Sequence, residues 1–185
     1  MVLICCVAVA AGAQAVPSIA AAEQALMDAA FGGNLEEVQR LVSAGVAVDA
    51  TTPDNQTALM WAAFNGHTPV VGYLLENDAS LEAKDANSRT ALMYASSGPF
   101  AETVELLLEK GADVNVQGKL EGFTALMIAA AEGQLEVVRK LLLYGADPAL
   151  KDKDGDTAES FASQNGHSAV VDLLRNPPPA TSAAE

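Results

Sequence analysis

Cysteine occurs only at Cys5 and Cys6, so the body of the chain cannot be organised by disulfides. Aromatic residues make up 5% of the 185 residues although half of all residues are hydrophobic. A core must therefore be built mainly from Ala, Leu, Val and Met, which favours closely packed helices. Cations are also scarce: 10 Lys and Arg face 24 Asp and Glu, for a formal net charge of −14. Such a chain repels phosphate polymers and anionic membrane surfaces, which makes both poor partners and favours a basic or neutral protein surface. The same acidity keeps an alanine-rich chain soluble. Signatures of catalysis are missing as well, with no Gly-x-Ser-x-Gly elbow, phosphate-cradling loop or paired His-Cys arrangement.

What the sequence has is repetition. Thr-Ala-Leu-Met recurs at Thr57–Met60, Thr90–Met93 and Thr124–Met127, with starting threonines 33 and 34 residues apart, and Thr157-Ala158 follows after a further 33. Ala29-Ala30, Ala62-Ala63, Ala95-Ser96, Ala129-Ala130 and Ala162-Ser163 keep that register. So do Gly33, Gly66, Gly133 and Gly166, with Pro99 in the third unit, and the pairs Leu41-Val42, Leu74-Leu75, Leu107-Leu108, Leu141-Leu142 and Leu173-Leu174. A fixed period of this size marks a stacked array. Five units result, at 23–54, 55–87, 88–121, 122–154 and 155–176.

Each unit predicts two short helices and an extended loop. Thr57, Thr90, Thr124 and Thr157 each stand where a hydroxyl can cap the first helix. Val70, Val71, Leu74 and Leu75, like Val137, Val138, Leu141 and Leu142, give the second helix one apolar stripe. Helices this short are marginal alone, so neighbouring units must bury the stripes. Gly45, Gly111 and Gly145 suit a left-handed turn after the second helix, with Asp78 as a tolerable substitute. Trp61, Tyr94, Ile128 and Phe161 share one repeat position and are expected in the core. Glu159 and Ser160 replace Leu-Met in the last unit, as suits a capping repeat that meets water.

The pattern Thr-Ala-Leu-Met-x-Ala-Ala-x-x-Gly, then Val-Val-x-x-Leu-Leu, then Gly-Ala-Asp resembles the ankyrin repeat. Unit four, Gly122 through Asp147, is the nearest copy. The departures are Met60, Met93 and Met127 where the family usually has His, and Ala58, Ala91 and Ala125 where it has Pro; loss of the His removes a hydrogen-bonding group between loops. The resemblance covers about 23–176 and implies an all-α solenoid of about five helix-turn-helix units with β-hairpin-like loops. It implies a non-enzymatic protein-binding module that protects, scaffolds or inhibits a partner through hairpin tips and a concave face. No cofactor and a monomeric state are expected.

Carried over by position, the tip and rim residues are Asp54 and Gln56, Asn87 and Arg89, Glu121 and Phe123, and Asp154 and Asp156. Phe64, Ser97, Ala131 and Gln164 are the equivalent exposed helix positions, and Phe64 is a candidate anchor. The loop into unit four is one residue longer than its equivalents, since Gly111 to Thr124 spans 13 residues where Gly45–Thr57, Asp78–Thr90 and Gly145–Thr157 span 12. It should protrude, with Leu120 and Phe123 either meeting a partner or packing inward. The candidate partner site is therefore Asp54, Gln56, Phe64, Asn87, Arg89, Leu120, Glu121 and Phe123.

Two alternatives for chemistry are weaker. His67 and His167 occupy the same repeat position with no third periodic ligand, and are expected to be structural. Asp152, Asp154 and Asp156 resemble part of a calcium loop, but Thr157 stands where that loop requires glycine and Ser163 where it requires a bidentate Glu. A metal-dependent or enzymatic site would have to use these inter-repeat carboxylates.

Val2–Ala13 is an uncharged apolar run ending in Ala13-Gln14-Ala15, a small-x-small triplet. Residues 1–20 are expected to be a secretory signal cleaved near Ala15 or Ala20, although no Lys or Arg precedes the run. The run is too short for a comfortable bilayer span, so no stable span should remain after cleavage. Lipid attachment at Cys5 is an alternative. Thr-Ala-Leu-Met repeats behind an export signal resemble small exported bacterial ankyrin repeat proteins, and that resemblance implies a periplasmic or secreted bacterial location, with a repeat array at 21–176 and a disordered tail at 177–185.

Overall fold

The computed structural model describes residues 19–179. Residues 1–18 of the expected export segment, with Cys5, and residues 180–185 of the expected tail lie outside the described residues. Among the described residues there are ten helices: α1 Ile19–Phe31, α2 Leu35–Ser43, α3 Ala58–Phe64, α4 Thr68–Glu76, α5 Ala91–Ala95, α6 Ala101–Glu109, α7 Ala125–Ala131, α8 Leu135–Leu143, α9 Ala158–Gln164 and α10 Ser168–Arg175. None of them is long and apolar enough to cross a membrane.

The helices form five helix-turn-helix pairs stacked in two rows. The inner row runs α1, α3, α5, α7, α9 and the outer row α2, α4, α6, α8, α10, with each helix packed on its row neighbours and on its own pair mate. The repeated Leu-Met and Val-Val-x-x-Leu-Leu positions meet between the rows. Leu59, Met60, Leu92, Met93, Leu126 and Met127 of the inner row and Val70, Leu74, Leu107, Val138 and Leu141 of the outer row are all buried. Burying each such side chain contributes about 1.5–3 kcal/mol, and the short helices persist because neighbours supply it.

Thr57, Thr124 and Thr157 cap as expected, accepting from Met60 N at 3.3 Å, Met127 N at 3.2 Å and Ser160 N at 3.3 Å. Thr90 does not: its side chain makes no cap bond in front of α5, the shortest helix at five residues. At the other end of each pair, Asp78 adopts φ +63° where Gly45, Gly111 and Gly145 adopt +85° to +93°. The chain there needs a left-handed residue, and Asp tolerates it.

The inner-row glycines have a second constraint. Gly133 has φ +70°, and a Cβ placed on it would lie 2.5 Å from His167 Nδ1; Gly33 stands in the same relation to His67, and Gly66 lies beneath the Phe100 ring. One residue type thus provides both the backbone conformation and the room for a ring from the next unit. In the third unit Pro99 occupies the glycine's place, and Gln134 the ring's. Contact between α5 and α7 is correspondingly sparse beside that between α3 and α5 or between α7 and α9.

Candidate functional site

Each loop between pairs turns back on itself and closes with a backbone bond. Thr52 N donates to Gln56 O, Asp85 N to Arg89 O and Asp152 N to Asp156 O, each at 3.0–3.1 Å. In the loop leading into unit four Gly118 N donates to Phe123 O at 2.9 Å, one residue further along the chain, so the insertion is absorbed as a wider turn. The tips are then joined edge to edge. Ala86 N donates to Asp54 O at 2.8 Å, Lys119 N to Asn87 O at 2.7 Å and Lys153 N to Glu121 O at 2.9 Å. These backbone bonds, with Lys153 Nζ donating to Lys119 O at 2.7 Å and Gln117 Nε2 to Lys151 O at 2.8 Å, link the row where buried methionine replaces the family's histidine.

Side chains repeat the linkage on the other side of the loops. Asp49 Oδ1 accepts from Ser80 N, Glu82 Oε1 from Asp113 N and Asn115 Oδ1 from Asp147 N, all at 2.9 Å. These three acceptors occupy one repeat position and fix each loop to the next unit.

A band of rings runs along the face between the tips and the inner helices. Phe31 packs edge-on against Trp61 at 5.5 Å, Trp61 against Phe64 at 6.3 Å, and Phe64 against Tyr94 at 6.2 Å. Phe123 and Phe161 form a second T-shaped pair at 5.3 Å. The expected core column is therefore corrected: Trp61, Tyr94, Ile128 and Phe161 are half-buried and line this face. A position on the inner helix that points past the next unit's helix toward its hairpin is only partly covered. Edge-to-face pairs of this kind add about 0.5–1.5 kcal/mol beyond the area they bury.

Between the two ring clusters lies a cavity of about 280 Å³, at the seam of units three and four. Its walls are Phe64, Met93, Tyr94, Leu120, Phe123 and Ile128; Asn87, Arg89, Ser97, Gly118 and Glu121 form its remaining boundary. Leu120, at the tip of the longer loop, is 54% exposed. Phe123, from the same loop, turns inward onto Phe161. The insertion thus sends one apolar side chain outward and one inward, instead of treating both alike.

One wall of the cavity is held from behind by a buried carboxylate. Asp85 Oδ1 accepts from Asn87 N and Arg89 N, each at 2.8 Å, and Oδ2 accepts from the Tyr94 hydroxyl at 2.9 Å. Gln56 Nε2 donates to the same hydroxyl at 3.1 Å. Burial, together with Asp85 beside it, raises the Tyr94 phenol above its ordinary value, against the opposing influence of Gln56 and Arg89. The phenol stays protonated and donating at neutral pH. Turn and ring are locked together, which fixes the wall of the cavity.

Charge is unevenly shared between helices and tips. The ion pairs among the described residues, Arg40 with Glu37, Arg139 with Glu136, Lys140 with Glu105 and Arg175 with Glu159, all lie on helices. Arg89 and Lys119, beside the cavity, make none.

Of the eight residues expected to bind a partner, the cavity brings together Phe64, Asn87, Arg89, Leu120, Glu121 and Phe123. Asp54 and Gln56 stand apart from its lining. Gln56 acts behind the wall through Tyr94, and Asp54 offers its carbonyl to the next tip. Asp154 is exposed at the tip of unit five, while Asp156, Ser97 and Ala131 are half-buried and Gln164 exposed. Phe31, 47% exposed and in contact with Trp61, was missed. Its position 33 residues before Phe64 was the available signal.

The weaker alternatives resolve into turns and caps. His67 Nε2 meets Phe31 O at 2.9 Å and His167 Nε2 meets Ala131 O at 3.0 Å, beside Asn65 and Asn165 donating to the same carbonyls. Asp152 Oδ1 accepts from Asp154 N and Asp156 N, the turn arrangement also made by Asp85. Among the described residues no three His, Cys, Asp or Glu converge as metal ligands.

The chain matches the sequence profile described as ankyrin repeats (3 copies) over residues 26–118 and 113–180. It is 42% identical over 62 residues to a Rickettsia felis protein named for its ankyrin repeats, covering 30% of this chain and 94% of that one. It is 45% identical over 53 residues to the Drosophila melanogaster E3 ubiquitin-protein ligase mind-bomb, covering 29% of this chain and 4% of the ligase. Human ankyrin repeat family A protein 2 is 53% identical over 47 residues, covering 25% of this chain and 15% of that protein.

Proposed function

The chain belongs to the ankyrin repeat family, and on that premise we propose that it is a protein-binding module that holds one partner protein along the inner face and hairpin tips, as a monomer and without chemistry of its own. The family's repeats are in general interaction modules, not catalysts. The observation that carries the reading is the band of half-exposed rings flanking an apolar cavity, on a face whose tips are rigidly joined. A preorganised apolar face loses little entropy on docking. A footprint of about 800 Å² per partner, the ordinary size, would reach beyond the cavity to the Phe31 and Phe161 ends of the band.

We also propose that the chain is exported to a bacterial periplasm, where binding would protect, scaffold or inhibit its partner. The apolar run Val2–Ala13 and the triplet Ala13-Gln14-Ala15 support this reading. N-terminal sequencing of the exported protein tests it.

Photo-crosslinking tests the binding face. A benzophenone side chain installed at Phe64 or Leu120 should capture a discrete partner from a periplasmic extract, and one at Glu109 or Arg139 on the outer row should not. Equal capture from both rows, or none from the inner positions, would reject the assignment.

A further inference from the structure

We infer that the cavity at the seam of units three and four docks a flexible segment of the partner that carries a bulky apolar side chain next to a carboxylate. This rests on the protein-binding reading above and specifies what one part of that face selects.

The apolar half of the requirement follows from the walls. Phe64, Tyr94, Leu120, Phe123 and Ile128 surround about 280 Å³, room for one large side chain and a stretch of main chain. The space exists because of two features of the chain at this seam. The residue inserted before Thr124 lifts Leu120 above the row, and the five-residue α5 leaves α7 sparsely covered. The corresponding seams hold smaller spaces, about 200 Å³ beside Phe31 and Trp61 and about 150 Å³ beside Phe123 and Phe161.

The carboxylate half follows from the charges at the rim. Four cations on the helices are neutralised by glutamates; Arg89 and Lys119, like Lys84, Lys110, Lys151 and Lys153, have no ion-pair partner among the described residues, and of these six Arg89 lines the cavity and Lys119 stands next to Leu120, both exposed. The Arg89 backbone N–H is committed to Asp85, so the residue's position is fixed while its guanidinium remains available. A guanidinium beside an apolar pocket is suited to a planar carboxylate, which it can grip with two bonds.

Two opposing charges must be weighed. Asp85 is buried, but its three donors already occupy its oxygens. Glu121 is exposed on the same rim and disfavours an incoming acid. The overall charge of −14 acts at longer range, and at physiological salt it is screened beyond about 8 Å, whereas contact with Arg89 is not. Local contact therefore decides the preference once the apolar side chain has seated.

The test is a titration of the isotope-labelled full chain, followed by amide NMR, with short Gly-Ser peptides carrying Leu-Asp, Leu-Lys, Gly-Asp or Leu-Ser at the centre. The Leu-Asp peptide should bind most tightly and shift amides within 87–97 and 118–128. Arg89→Ala should weaken it about tenfold, the scale of one charge-assisted contact. Glu121→Gln should tighten it about two- to fivefold, and neither change should alter binding of Leu-Ser by as much. The inference fails if Leu-Lys binds better than Leu-Asp, if Arg89→Ala has no selective effect, or if a single-stranded oligonucleotide outcompetes the peptides for these amides. Peptides that shift amides elsewhere along the ring band but spare the seam would refute this inference while leaving the protein-binding reading intact. No shift with any peptide, combined with failed inner-row crosslinking, would end both.

Discussion

The Tyr94 hydroxyl donates to the buried Asp85 carboxylate at 2.9 Å, across nine residues of sequence, and joins a hairpin turn to the helix that follows it. Tyr94→Phe removes one of the three donors to Asp85 and leaves Gln56 Nε2 without its acceptor. The expected cost is about 1–3 kcal/mol, the ordinary penalty for stranding a buried polar group. Urea unfolding of the variant checks it; a loss near zero would show that water replaces the hydroxyl.

The same phenol gives the protein an alkaline dependence. Its folded pKa is raised by burial and by Asp85. Above the unfolded value, near 10, the unfolded chain has released a proton that the folded chain still holds, so stability falls as pH rises. The contribution is complete below about pH 10 and is lost as pH passes through the folded pKa. Tyr94→Phe should flatten this part of the stability profile, and tyrosinate absorbance in the folded protein should show one phenol titrating late.

Gly133→Ala should be far costlier than Gly45→Ala. Both glycines have positive φ, worth about 1–2 kcal/mol against a side chain. A Cβ at Gly45 meets nothing within 4 Å, whereas one at Gly133 lies 2.5 Å from the His167 ring. Displacing that ring adds a packing penalty of about 1–3 kcal/mol. Adding His167→Ala to Gly133→Ala should recover the packing part and leave the backbone part, which a double-mutant cycle in urea measures.

Leu120→Ser and Phe123→Ala separate recognition from folding. Leu120 is largely exposed, so its replacement should change stability by less than about 0.5 kcal/mol while weakening partner binding. Phe123 packs edge-on against Phe161 at 5.3 Å and supports the cavity, so Phe123→Ala should lose both stability, by about 3 kcal/mol, and binding. Thermal melts alongside the peptide titrations distinguish the two outcomes.

Much of this architecture was legible because each repeated position does the same physical job in every unit. Met60, Met93 and Met127 are equally buried, and Asp78 takes the left-handed turn expected of a glycine position. Reading failed where a position depends on a neighbour outside its own unit. Trp61 and Tyr94 share the apolar character of core residues, yet only the stacking offset reveals that the next unit leaves them half-covered. Thr90 has the same letter as three capping threonines but makes no cap in front of the shortest helix. The Asp85 contact was hidden for a similar reason, since Asp152, its equivalent turn residue, has Phe161 where Asp85 has a hydroxyl to meet. At the candidate site, the length of the loop into unit four signalled a protrusion but not the opposite directions of Leu120 and Phe123.

Because each unit packs chiefly on its immediate neighbours, the thinly packed junction between α5 and α7 is the link in the column with the least packing to resist bending. A guest seated beside Leu120 and Tyr94 would span that link, resting on units two, three and four. Linkage then makes the effect mutual: a change that tightens the joint in its bound arrangement would strengthen the grip, and a seated guest would tighten the joint by the same free energy.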